Sequence, residues 1–270
     1  CENVRLNNLR VLNNRSKLYT IHFDHCQDSR VTNCEVLNYK QICLNVRPTH
    51  TFKCIDGHGI VFNRSLYNQA DGNRIIERRL FADEQTQKAH QLGVVTEGVC
   101  PVEGMEDYFP AWHQGGGIGS FRGACSLITN NYIENACQGF DFQTDHSVLA
   151  NNVVRYAQTG IKCMHHTENV VIANNNVSYT DLWGLVMAPG PSAQPARIHT
   201  DGPKASPEYQ ELMKKYGMHI ERSELEVGNI ISNNVFSHFG EGYEYYNWTP
   251  VLSIDAGFLS VIDLWGQWEN

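Results

Sequence analysis

The chain has 270 residues, a net charge of −8, 41% hydrophobic residues and only 19% charged ones. A nucleic-acid partner is not expected, because phosphate binding needs a basic face. No apolar run reaches the roughly 18 residues of a membrane helix, so no membrane span is expected either.

The low charge is made up largely by Asn, Gly, Ser and Thr, which suits a chain of many turns and strands. No signal peptide is visible, and Cys1 leads almost at once into repeat-like sequence. The chain therefore reads as a mature or truncated protein. The 9 cysteines show no CxxC pair and no zinc spacing. Most are expected as small buried apolar residues, with a few disulfides of a secreted protein as the alternative.

In chain order, residues 4–64 hold the first units of a repeat, of which Val31-Thr-Asn-Cys-Glu-Val36 is the clearest. A first insertion spans about residues 65–117. Within it a helix is expected over residues 83–92, ended by Gly93, and then a loop with Tyr108, Phe109, Trp112 and the Gly115-Gly-Gly117 run. The repeat returns as Ile128-Thr-Asn-Asn-Tyr-Ile133, Leu149-Ala-Asn-Asn-Val-Val154 and Ile172-Ala-Asn-Asn-Asn-Val177. A second insertion, about residues 188–226, contains an expected helix over 207–216. Ser206 is its N-cap and Pro207 its first residue, while Tyr209, Leu212, Met213 and Tyr216 share one face and Gly217 ends it. Ile231-Ser-Asn-Asn-Val-Phe236 resumes the repeat. The second Asn falls at 131, 152, 175 and 234, giving steps of 21, 23 and 59 residues, the last being one coil plus an insertion.

A second template runs in phase with the first. Gly139-Phe-Asp-Phe-Gln143, Gly160-Ile-Lys-Cys-Met164, Gly184-Leu-Val-Met-Ala188 and Gly242-Tyr-Glu-Tyr-Tyr246 read Gly, apolar, variable, apolar, variable. Such alternation marks a strand with one buried face. A coil of this length cannot bury its apolar face alone, but coils stacked at roughly 4.8 Å make a continuous core. Asn in the turns tolerates a left-handed backbone, and stacked Asn amides can hydrogen-bond between coils. The expected fold is all-β: one right-handed parallel β-helix domain over residues 1–270, a solenoid of about 21–25 residues per coil.

The Asn-Asn turns, the Gly-led strands and the period resemble the pectate-lyase-like superfamily of right-handed β-helices. The resemblance covers roughly residues 4–64 and 118–250. It implies a polysaccharide lyase or glycoside hydrolase, secreted or at the cell surface. No complete family signature is matched, and Gly57-His58-Gly59 fits the Gly-His-Gly run of polygalacturonases only in isolation.

If Phe140 and Phe142 point inward, Asp141 points outward, one rung from Lys162. Val186 follows in that column and then Glu244. Counting back from the Asn turn places Ser120 below Asp141 and Arg122 below Gln143. Asp145, His146, His165 and His166 lie just past the same strands. Asp141, Lys162, His165, Asp145 and Arg122 are the catalytic candidates. Two carboxylates would serve hydrolysis, whereas Lys162 or His165 as base, with Arg122 neutralising a uronate, would serve elimination. An ordinary cross-strand ion pair is the competing reading of Asp141 and Lys162. His146, His166, Glu244, Asp201, Tyr246, Trp248 and Trp112 are candidate substrate contacts, the rings because flat faces with polar edges suit sugars. No cofactor is required, although oxygen-rich turns are compatible with calcium. The expected partner is a polysaccharide or glycan. The alternative is a non-catalytic glycan-binding, adhesive or structural segment of a larger surface or fibre protein.

Overall fold

The computed structural model describes residues 1–46, 51–78, 108–113, 115–164, 167–188, 228–239, 252–254 and 267–268. Among these the chain is all-β with no helix, and its two large sheets are parallel. It runs in circuits, each laid in register on the one before.

The first circuit holds β1 (Arg5–Asn7), β2 (Arg10–Leu12) and β3 (Tyr19–Asp24). The second holds β4 (Arg30–Thr32) and β5 (Glu35–Leu37), departs as the antiparallel pair β6 (Gln41–Val46) and β7 (Thr51–Asp56), and returns as β8 (His58–Asn63). The third has β9 (Gln69–Asp71) and β10 (Arg74–Ile76), then β11 (Tyr108–His113), which lies on β7, and β12 (Gly116–Ala124). The fourth comprises β13 (Leu127–Thr129), β14 (Tyr132–Glu134) and β15 (Gln138–Asp145). The fifth is β16 (Val148–Ala150) with the long β17 (Val153–Met164). The sixth is β18 (Val171–Ala173) with the long β19 (Asn176–Ala188). The seventh has β20 (Ile230–Ser232), β21 (Val235–Phe239) and β22 (Leu252–Ile254), and β23 (Gln267–Trp268) pairs with β21.

The first strand of every circuit joins a seven-stranded parallel sheet, β1-β4-β9-β13-β16-β18-β20. A thirteen-stranded sheet rises through β2, β5, β10 and β14 to β17, then descends through β15, β12 and β8 to β3, so that it nearly closes on itself. Alternation decides which residues go inside. In the seven-stranded sheet the middle residue of each short strand after β1 is buried: Val31, Ala70, Ile128, Leu149, Ile172 and Ile231. From the second sheet Val36, Ile75, Ile133, Val154, Val177 and Phe236 meet them, along with Phe62, Phe140, Phe142 and Ile161. Each fully buried side chain of this kind stabilises the stack by about 1.5–3 kcal/mol.

In all seven circuits two residues separate the sheets, and the two have different tasks. The first adopts a left-handed backbone: Asn8, Asn33, Asn130, Asn151, Asn174 and Asn233 at φ 52–60°, with Gly72 at 66° in the third circuit. Asn and Gly are the residues that adopt it at least cost. The second residue is Asn73, Asn131, Asn152, Asn175 and Asn234 in circuits three to seven, each 1% exposed. Each Oδ1 from Asn131 to Asn234 accepts from the backbone N–H and the amide of the Asn below. Each amide from Asn73 to Asn234 also donates to a core-strand carbonyl, as Asn152 does to Ile128 at 3.1 Å. The left-handed turn and the stacked amides expected from the Asn pairs are thus divided between neighbours.

The Gly-led template has a steric origin. A Cβ on Gly139 would fall 2.6 Å from Val154, and one on Gly160 would fall 2.2 Å from Val177. The chain crosses the core there too closely for any side chain. β9 and β10 belong to the regular stack, although they fall within the stretch expected as the first insertion. The helices expected over 83–92 and 207–216 lie outside the described residues. Cys1, Cys26, Cys34, Cys125 and Cys137 are free thiols, and Cys26, Cys34, Cys137 and Cys163 are buried. Among the described residues no helix is long and apolar enough to cross a membrane.

Candidate functional site

Strands β3, β8, β12, β15, β17 and β19 turn part of their side chains away from the core, and register stacks them into columns; in the last five the core-facing Gly59, Gly117, Gly139, Gly160 and Gly184 interrupt the alternation. The column that carries Asp141 runs His22, Val61, Gly119, Asp141, Lys162, Val186. On one side lies Tyr19, His58, Gly116, Gln138, Thr159, with Gly116 level with His58 by continuation of the Ile60–Ile118 pairing. On the other side lies Asp24, Asn63, Phe121, Gln143.

Asp141 and Lys162 meet as the alternation requires. Lys162 Nζ stands 3.4 Å from Asp141 Oδ2, and Gln143 Nε2 donates to Oδ1 at 3.3 Å. Although they face away from the core, both are largely enclosed, with side-chain exposures of 9% for Asp141 and 21% for Lys162. The ion pair is longer than the 2.7–2.9 Å or so of a tight charged hydrogen bond.

His58 lies close enough to Asp141 and Lys162 to feel both charges. Burial pushes its imidazole down to about 4, against the pull of Asp141 in the other direction. It is therefore neutral at ordinary pH. Its Nδ1 is buried and has no hydrogen-bond partner among the described residues. The ring packs edgewise on Tyr19 at 5.2 Å and on Phe121 at 5.9 Å. Asp56 precedes it at 7% exposure, with Oδ1 accepting from Gly57 N at 2.8 Å. Burial first, then the charge of Asp56, raise the Tyr19 phenol, which Arg122 partly offsets. Cys137, behind this cluster, is raised by burial to about 12 and donates to Gln158 Oε1 at 3.3 Å, so it is no nucleophile.

The other sequence candidates separate. Gly119, not Ser120, pairs with Asp141, and Phe121, not Arg122, pairs with Gln143. The count slips because β12 carries a bulge between Phe121 and Gly123, with Arg122 as the extra residue at φ 53°. Ser120 is fully buried instead, 3.1 Å from Ser126 Oγ. Asp145 and His146 form their own contact, 2.9 Å apart, at the corner leading to the seven-stranded sheet, with His146 in a left-handed turn at φ 47°. Asp145 is four residues beyond Asp141, roughly 13 Å along the strand. That exceeds the roughly 6.5–9.5 Å of an inverting carboxylate pair. The partner that follows Val186 is Ser253 of β22, not Glu244. Trp112 lies in β11, and only its backbone is described. His165, His166, Asp201, Glu244, Tyr246 and Trp248 lie outside the described residues.

Sequence reasoning missed Asp56, His58 as a member of the cluster, and Phe121. The signal for the first two was the Gly57-His58-Gly59 run, which lies two rungs from Asp141. No group of three or more His, Cys, Asp or Glu able to hold a metal occurs among the described residues. Compared with known proteins, the chain matches no family model, no curated protein and no solved structure.

Proposed function

We propose that this protein is a secreted or cell-surface carbohydrate-active enzyme, a right-handed parallel β-helix of pectate-lyase-like type that cleaves a polysaccharide beside Asp141 and Lys162. One observation carries the reading: an ion pair on an outward-facing column is nearly buried, next to a neutral histidine whose Nδ1 has no described partner. An exposed cross-strand pair gains little but costs little to form, whereas burying charges costs several kcal/mol each. Groups held at such cost cluster at working sites.

Two cleavage routes suit these residues. In hydrolysis, Asp141 and Asp56 would act as base and acid on the glycosidic bond. In elimination, His58 would take the C–H proton and Lys162 would face the carboxylate of a uronate. Soluble polysaccharides, incubated with and without calcium, test the proposal by two readouts: new reducing ends and the ultraviolet absorbance of unsaturated uronates. Both signals together mean elimination, and reducing ends alone mean hydrolysis. Asp141→Asn should lower turnover by about 10²–10⁴-fold, with a folded state confirmed by an unchanged urea slope. Glycan binding without any turnover would overturn catalysis in favour of a glycan-binding β-helix.

A further inference from the structure

Phe121 is an apolar ring on the outward face, in the midst of the ionisable cluster. It pairs in register with Asn63 below and Gln143 above, so its neighbours along the column are both amides. A Cβ built on Gly119 would lie 2.5 Å from Phe121 Cζ and 2.9 Å from Cε2. The ring therefore leans back along β12 and occupies the space that a side chain at 119 would take. Glycine at that position is what lets the ring lie down on the sheet. The His58 imidazole stands perpendicular to it at an interplanar angle of 89°. Phe121 stays partly exposed, while Val61 beside it is fully buried.

A ring held down on a sheet, partly open and rimmed by Asn63, Gln143, Asp141 and His58, matches the chemistry of a pyranose. Such a sugar has a C–H face for the ring and hydroxyls around its edge for the amides, carboxylate and imidazole. We infer that Phe121 is the stacking platform that seats a pyranose unit next to Asp141 and Lys162. This rests on the polysaccharide reading above. It assigns Phe121 to substrate binding rather than to chemistry, and it makes Gly119 a positioning residue for the platform.

A plug that merely shields the strand needs bulk, whereas a platform needs a flat face. Phe121→Leu and Phe121→Trp separate the two. Kinetics would be measured on whichever of homogalacturonan, xylan, galactan and mixed-linkage glucan the native protein cleaves, with retardation in gels containing the same polymers as a second readout. Phe121→Leu should raise KM about three- to tenfold with kcat nearly unchanged, and Phe121→Trp should stay within about threefold of the native KM. Equal KM for native and Leu proteins, both folded by their urea curves, overturns the platform and leaves the enzyme reading intact. If the native protein cleaves none of the four but is retarded, retardation lost in the Leu variant and kept in the Trp variant supports the platform without catalysis. If it neither cleaves nor is retarded, both readings fall.

Discussion

Replacing Asn152 by Ala tests the amide stack where it is continuous on both sides. The Asn152 side chain takes part in four hydrogen bonds: it accepts from Asn131 N at 2.9 Å and Asn131 Nδ2 at 3.0 Å, and donates to Ile128 O at 3.1 Å and Asn175 Oδ1 at 2.9 Å. Asn152→Ala leaves two donors of Asn131 without their acceptor in a site water does not reach. Each orphaned buried donor costs about 1–3 kcal/mol, so a loss of about 4 kcal/mol is expected. The neighbouring Asn151 sets the scale. It is exposed and its task is the left-handed turn at φ 58°, so Asn151→Ala should cost only about 1 kcal/mol. Urea titrations of the three proteins, followed by tryptophan fluorescence with slopes compared, give both losses. Equal midpoints for the two variants would refute the division of labour between the paired asparagines.

A further outcome follows from the buried histidine of the site. His58 titrates near 4 when folded and near the ordinary 6.5 when unfolded, so the unfolded chain takes up the proton first as pH falls. Its contribution, about 2–3 kcal/mol, is complete above about pH 6.5 and is lost as pH falls toward 4. His58→Gln should flatten the fall in urea midpoint across that window relative to the native protein, and parallel curves would count against a buried neutral imidazole.

The frame was legible because the Asn-Asn pairs satisfy two demands that few residues meet, a left-handed turn and a self-complementary buried amide. Where other residues serve, as Gly72-Asn73 or Asn33-Cys34, the pattern fades and the third circuit was hidden within an expected insertion. Alternation correctly brought Asp141 to Lys162, since no irregularity intervenes between Phe140 and Phe142. It failed one strand lower, because nothing in the residue types around Arg122 announces a bulge. His58 escaped notice for a related reason. The β6–β7 excursion separates it from its own Asn turn, so no fixed count ties Gly57-His58-Gly59 to the column of Asp141.

The constant two-residue turn has an evolutionary consequence. Lengthening it would orphan amides in the circuits above and below at once, so change there is penalised in every generation. The long departures of the chain leave elsewhere: after β5, after β10 and after β19. The first two re-enter at β8 and β12, immediately ahead of His58 and Gly119. Sequence drift is thereby channelled toward the approach to the ionisable cluster while the scaffold beneath stays fixed. A lineage built on this plan can explore new specificities by exchanging its excursions, with little risk to the frame that supports them.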